Sequence, residues 1–238
     1  MSVVPKKVEV KTTIEEAGVG LALERLGLRL AKRSTTSLIV FCETSLDGGM
    51  MLTARSLIVR LRWRIIVPPE QADEASNDCT VKVRPSAGDS TRWSTAANGP
   101  KEKDKFEGDW TPSQRVNTFS RRVEGLAATA LEAVMRGSAP VEGLLAPGQR
   151  LLLKEALSGE VPKLRPLAPV LSTTWQLPGR RDAELWTVGP THFLEISERV
   201  DAAEAEPALA NLVAFVHSFG GEPSEKGAKT DRIIKLVS

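Results

Sequence analysis

Arg60, Arg62 and Arg64 stand two apart in the segment Leu57-Ile58-Val59-Arg60-Leu61-Arg62-Trp63-Arg64-Ile65. In an extended chain successive side chains point to opposite faces, so the three guanidinium groups share one face and Leu57, Val59, Leu61, Trp63 and Ile65 share the other. The segment Cys79-Thr80-Val81-Lys82-Val83-Arg84 repeats the arrangement, with Thr80, Lys82 and Arg84 opposite Cys79, Val81 and Val83. A row of cations this dense repels itself unless phosphates or interleaved carboxylates neutralise it, so the chemistry these residues point to is recognition of a polyanion. An antiparallel sheet with one wet face alternates in the same way, and two strands alone do not separate the readings.

The recurrence of the pattern does. Lys7, Glu9 and Lys11 share a face opposite Val8 and Val10, Lys105, Glu107 and Asp109 lie opposite Phe106 and Trp110, and Glu195 and Ser197 lie opposite Leu194 and Ile196. Charges of both signs at this density suit a closed antiparallel barrel with a polar, charged lumen and an outside covered by helices. In such a lumen lysines and arginines hold phosphate oxygens, carboxylates hold a hard divalent ion, and an aligned water attacks in line without a side-chain nucleophile. The rival is an interaction domain whose barrel is filled by its own ion pairs, which predicts no phosphate affinity.

The elements that must position these residues alternate strands with helices. Strands are expected over Lys7–Ile14, Ser37–Thr44 (Glu43 outward), the two basic segments, residues 105–110, Ser172–Gln176, Glu184–Val188 and His192–Ser197. Helices are expected over Ile14–Leu28, with Thr13 and Glu16 as a capping box, over Ser113–Arg136 from the spacing of Val116, Phe119, Val123, Leu126 and Leu131, over Pro147–Leu157, and over Ala203–Phe219. Residues 68–78 and 86–103 are polar and read as loops. The run Glu225–Arg232 has no glycine at the spacing of a phosphate loop.

With 238 residues, 41% of them hydrophobic, the chain can bury a sizeable core. Its net charge of +2 gives no global attraction to nucleic acid or an anionic membrane, so neither is an expected partner. No apolar run approaches a membrane span and no signal-peptide core precedes the first strand, which places the protein in the cytoplasm. Cys42 and Cys79 read as buried free thiols, and His192 and His217 are too few and too isolated for a zinc site or a triad. A homodimer is compatible with all of this.

Taken in order, Val8-Glu9-Val10-Lys11, Phe41-Cys42-Glu43-Thr44, Leu57 to Arg62, Thr80-Val81-Lys82, Lys105 to Asp109, Phe193 to Ile196 and Ala228-Lys229-Thr230-Asp231-Arg232 resemble the CYTH superfamily, the triphosphate tunnel metalloenzymes. The resemblance spans nearly the whole chain. It implies a single α+β domain over residues 1–238, an eight-stranded antiparallel β-barrel flanked by helices, with a helical insertion around 113–158. It also implies Mg²⁺ or Mn²⁺ and hydrolysis of inorganic triphosphate or nucleoside triphosphates. Carried over by position, Glu9 and Lys11 match the catalytic Glu-x-Glu-x-Lys signature, Arg60 and Arg62 an Arg-x-Arg strand, Lys82 the next strand's lysine, Glu195 a late metal-binding acid, and Lys229 and Arg232 a C-terminal Ser-Lys-x-x-Arg-like element.

The expected phosphate ligands are thus Lys11, Arg60, Arg62, Lys82, Arg84, Lys105, Lys229 and Arg232, and the expected metal ligands are Glu9, Glu107 and Glu195, with Asp109 as a further carboxylate. Three positions depart from the pattern. Lys7 stands where the first signature glutamate belongs, Ser197 replaces an acid, and Thr173-Thr174-Trp175 lacks an arginine. A cation at position 7 repels a divalent ion. These departures favour the alternative of a catalytically weakened tunnel that binds polyphosphate or a nucleotide as a sensor or scaffold.

Overall fold

Ten strands and six helices account for most of the chain in the computed structural model, which describes residues 5–31, 34–44, 50–65, 77–84, 101–226 and 229–238. In order these are β1 (Lys7–Ile14), α1 (Glu16–Arg25), β2 (Thr35–Thr44), α2 (Met51–Ala54), β3 (Leu57–Ile65), β4 (Asp78–Val83), β5 (Glu102–Trp110), β6 (Arg115–Glu124), α3 (Ala128–Met135), α4 (Pro147–Leu157), β7 (Leu164–Pro166), β8 (Val170–Leu177), β9 (Arg181–Val188), β10 (Thr191–Asp201), α5 (Ala205–Ser218) and α6 (Lys229–Val237). Nine strands close on themselves in the order β3-β4-β6-β5-β1-β10-β9-β8-β2, with β2 pairing back onto β3, and β7 pairs with the end of β2 outside the ring.

The α+β barrel with flanking helices is as expected, and the strand count and one pairing differ. There are nine barrel strands rather than eight, and β1 runs parallel to β5 where an all-antiparallel ring was expected. The extra strand is β6, inside the stretch read as a helix from 113. Val116, Phe119 and Val123 have helical spacing, yet the stretch is clamped by antiparallel pairing to β4 on one side and β5 on the other. Tertiary pairing overrides the local period here. Only the second half of that reading is helical, as α3.

Alternation along the strands sorts the side chains. Outward residues of β3 and β4 (Val59, Leu61, Cys79, Val81, Val83) pack under Leu131 and Val134 of α3 and Leu152 and Leu153 of α4. On the opposite side Val8, Val10, Leu194 and Ile196 pack under Leu209, Leu212 and Val216 of α5. A third cluster closes one end: Ile233 and Ile234 of α6 sit against Ile39, Phe41, Ile58, Trp186 and Phe193. Each such buried aliphatic side chain stabilises by roughly 2 kcal/mol, so α6 is held firmly against the barrel and lends Lys229 and Thr230 to the cavity wall. Both cysteines are free and buried.

Two local expectations are corrected. β1 continues through Ile14, so Thr13 is a strand residue and α1 starts at Glu16 without a side-chain cap. Glu43 is buried rather than outward: its carboxylate accepts bonds from the Leu52 and Thr53 amides at 2.7 and 3.0 Å, satisfying the free N–H groups that begin α2. The segment after 228 is helical. Most of the two polar loops expected at 68–78 and 86–103 lies outside the described residues. No helix among the described residues is long and apolar enough to cross a membrane.

Candidate functional site

The lumen is a cavity of about 550 Å³ whose wall carries basic and acidic side chains from β1, β3, β4, β5, β6, β9 and β10 and from Lys229 of α6. This lies within the ~300–1,000 Å³ range of small-molecule sites. Among the expected phosphate ligands Lys11, Arg60, Arg62, Lys82, Arg84, Lys105 and Lys229 all face it. Arg232 does not: it donates to Glu15 at 2.6 Å and lies over the Phe193 ring, outside the cavity wall. Lys7 is also off the wall and half-exposed, paired with Asp201 at 2.8 Å on the rim.

One side of the lumen is built on β1 and β5. Their parallel register puts Glu9 beside Asp109, and the carboxylates of Glu9, Glu107 and Asp109 present oxygen atoms within 4.8 Å of one another. Gly108 separates the last two. A Cβ there would come within 2.9 Å of Trp110 Nε1 and 3.0 Å of Val8, so only glycine allows β5 to lie this close to β1. Three hard oxygen donors at this spacing fit Mg²⁺ or Mn²⁺. Glu195, expected in this group, is elsewhere. It lies opposite Thr13, deeper in the lumen, and its carboxylate is 3.0 Å from Lys229 Nζ. Asp109 completes the cluster instead.

Cations already surround these carboxylates. Asp109 accepts from Lys11 at 2.9 Å, from Lys82 at 2.7 Å and from Thr118 at 3.0 Å. Glu9 is 3.2 Å from Lys11 and 3.3 Å from Arg199, and Glu107 is 2.5 Å from Lys105 and 3.3 Å from Arg199. Burial disfavours the charged form of Asp109, but Lys11 and Lys82 outweigh it and hold the carboxyl well below its ordinary value. Burial likewise opposes the Lys11 ammonium, and Asp109, Glu9 and Glu195 more than reverse it, raising Lys11 well above its ordinary range. Lys82, with Lys11 nearby, is lowered chiefly by burial.

Across the lumen Asp78 organises the guanidinium groups. It has no exposed surface, and Arg60, Arg62 and Arg122 converge on it at 3.5, 2.5 and 3.2 Å while Thr80 donates at 3.0 Å. Burial raises its pKa, and the three arginines outweigh that and keep it below the ordinary carboxylate value. Burial also lowers Arg60 against the pull of Asp78, which leaves a desolvated guanidinium facing the cavity. At the closed end Lys229 bridges Glu184 and Glu195 at 3.3 and 3.0 Å and lies 4.1 Å over the Trp186 ring. Arg84 pairs with Asp231 of α6 at 2.8 Å.

Six charged residues of the cavity wall escaped the sequence reading, Lys103, Asp104, Arg122, Asp182, Glu184 and Arg199, as did Asp78, fully buried beside the arginines it pairs with. Arg122 was hidden by the helical reading of β6, and Asp78 by its place at the end of a polar loop. Arg199 stands two residues beyond Ser197 on the same face of β10, and a longer strand would have revealed it. Asp182 and Glu184 share the inward face of β9. Asp182 is pushed upward by burial, with Glu9 and Glu184 adding to it, whereas Glu184 is held down by Lys229 and by a 2.5 Å bond from Ser172 despite its burial.

Neither known protein families nor curated proteins match the sequence. Solved structures do share the fold. The putative adenylyl cyclase HpAC1 from Hippeastrum, described as having a dominant triphosphatase activity, superposes with a TM-score of 0.61 at 12% identity over 96% of this chain and 95% of that one. A putative adenylate cyclase from Bacillus halodurans gives 0.58 at 12% identity over 96% and 97%. The protein PH1819 from Pyrococcus horikoshii OT3 gives 0.52 at 12% identity over 95% and 98%. The chain shares the barrel fold of these structures over nearly its whole length.

Proposed function

We propose that the lumen binds a triphosphate-bearing small molecule and hydrolyses its terminal phosphoanhydride. The observation that carries this is the division of the cavity wall into a guanidinium cluster on Asp78 and a three-carboxylate cluster on β1 and β5, facing one open volume. A barrel filled by its own ion pairs would not retain a cavity of about 550 Å³. The fold-mate from Hippeastrum supports the substrate class.

In this reading Arg60, Arg62 and Arg122 fork onto phosphate oxygens, with Lys82, Arg84, Lys105 and Lys229 as further positive charges along the chain. Lys11 stays protonated at neutral pH, so it serves as a fixed positive charge and not as a base. Glu9, Glu107 and Asp109 would hold a divalent ion, which when bound neutralises charge developing on the phosphoryl oxygens. Water would attack the terminal phosphorus as the bridging P–O bond breaks and its electron pair leaves with the departing phosphate oxygen, and Asp182, a carboxylate on the cavity wall near the Glu9 cluster, would accept the water's proton.

The test is phosphate release from inorganic triphosphate and from ATP with Mg²⁺ or Mn²⁺, with Glu9→Gln as control. Release by the native chain and its loss in the variant would support hydrolysis. Binding without release would leave the second reading, a sensing or scaffolding tunnel. That reading is favoured by the cations already paired with each carboxylate of the cluster and by Ser197 in place of an acid.

A further inference from the structure

Arg199, Glu9 and Asp109 are lateral neighbours across three adjacent strands. The antiparallel register of β10 and β1 sets Arg199 opposite Glu9, and the parallel register of β1 and β5 sets Glu9 opposite Asp109. The guanidinium therefore does not reach the carboxylate cluster by chance of rotamer. It is delivered there by the sheet.

Its contacts are to the atoms a metal would need. Arg199 Nη2 is 3.3 Å from Glu9 Oε1 and Arg199 Nε is 3.3 Å from Glu107 Oε2. One planar cation thus bridges two of the three carboxylates. A divalent ion bound through these oxygens would sit ~2.0–2.6 Å from them, within a few ångströms of a positive guanidinium, and the two would repel at close range. Glu107 is 7% exposed while Arg199 is 49% exposed, so the carboxylate is fixed and the arginine is the partner free to leave. The other cations differ. Lys11, largely buried, is shared between Glu9 and Asp109, Lys82 is held on Asp109, Lys105 reaches Glu107 alone at 2.5 Å, and Lys7 is on the rim with Asp201, so Arg199 is the exposed cation that spans both Glu9 and Glu107.

We infer that Arg199 is a tethered counter-ion of the Glu9, Glu107 and Asp109 cluster that competes with a divalent ion for the carboxylates of Glu9 and Glu107. It sets the metal dependence of the site, which makes this chain's lumen able to stay charge-balanced with no metal bound. The inference deepens the phosphate-site reading, and its test uses metal alone, so that its failure leaves that reading untouched.

The experiment is titration of Mn²⁺ into the phosphate-free protein, followed by calorimetry and by the loss of the free-ion electron paramagnetic signal. Arg199→Ala and Arg199→Gln are compared with the native chain, with thermal melts confirming that each is folded. Both variants are expected to bind Mn²⁺ at least tenfold more tightly, Glu107→Gln in the Arg199→Ala background is expected to abolish the gain, and Lys7→Ala is expected to leave affinity unchanged. Equal or weaker affinity in the Arg199 variants, or no Mn²⁺ binding by any chain, would overturn the inference. So would an equal gain from Lys7→Ala, because a loss of net charge alone would then explain it.

Discussion

Lys82 Nζ and Asp109 Oδ2 meet at 2.7 Å although their strands, β4 and β5, are not neighbours in the sheet. β6 lies between them, and only the curvature of a closed ring brings the two side chains together. The same carboxylate takes Lys11 from β1 on its other oxygen. Asp109 is the residue through which the basic and acidic walls are joined.

Removing its charge takes the carboxylate from the Lys82 ammonium and leaves Lys11 with Glu9 alone. Asp109→Asn is expected to lower stability by about 3 kcal/mol, the size typical of breaking a buried ion pair from one side. Urea denaturation checks this, and a change below about 1 kcal/mol would mean that Lys11 and Lys82 find other partners.

Asp78 gives a pH signature. Its folded-state pKa is depressed below the ordinary 3.8, so the stability it contributes is complete above that value and lost as pH falls through the folded-state pKa. Asp78→Asn is expected to destabilise by about 2 kcal/mol at neutral pH, and the native and variant melting curves should converge as the solution is acidified through the depressed folded-state pKa of Asp78. A gap that persists in acid would show that the loss is one of packing and not of charge.

The basic residues separate by where they point. Arg60→Ala is expected to weaken inorganic triphosphate binding by at least about thirtyfold, equivalent to roughly 2 kcal/mol, while the barrel stays folded, because the apolar faces of β3 and β4 that hold it are untouched. Retained affinity would count against the tunnel as the phosphate site.

Lys229 and Arg232 make a sharper pair, since they lie one turn apart on α6 and only Lys229 enters the lumen. Lys229→Met is expected to reduce triphosphate affinity about tenfold or more. Arg232→Ala should leave affinity within about twofold and cost at most about 1 kcal/mol of stability through its partly exposed pair with Glu15. Equal effects in the two variants would contradict the placement of α6.

The inward faces of β1, β3, β4, β5 and β10 were legible in the sequence because charge and hydrocarbon alternate there at period two, and that period survives any change of neighbour. Arg60, Lys82, Glu107 and Asp109 were found this way. β6 was not, because Phe119 and Val123 are apolar at a spacing that also suits a helix, and nothing local reveals that Arg121 is a buried outward residue held by Asp104. Asp78 and Arg199 lie at strand ends, where local sequence sets boundaries poorly. The exchange of Glu195 for Asp109 in the carboxylate cluster depends on the parallel β1–β5 register, which no single segment encodes.

The most direct measurement is calorimetric titration of the native protein with inorganic triphosphate, in the absence of divalent metal and again with Mg²⁺. The account predicts saturable one-site binding in both conditions, weakened by salt and by Arg60→Ala, because the cations of the lumen and not the metal supply most of the attraction. Absence of binding in either condition would contradict it and leave the charged barrel as architecture alone.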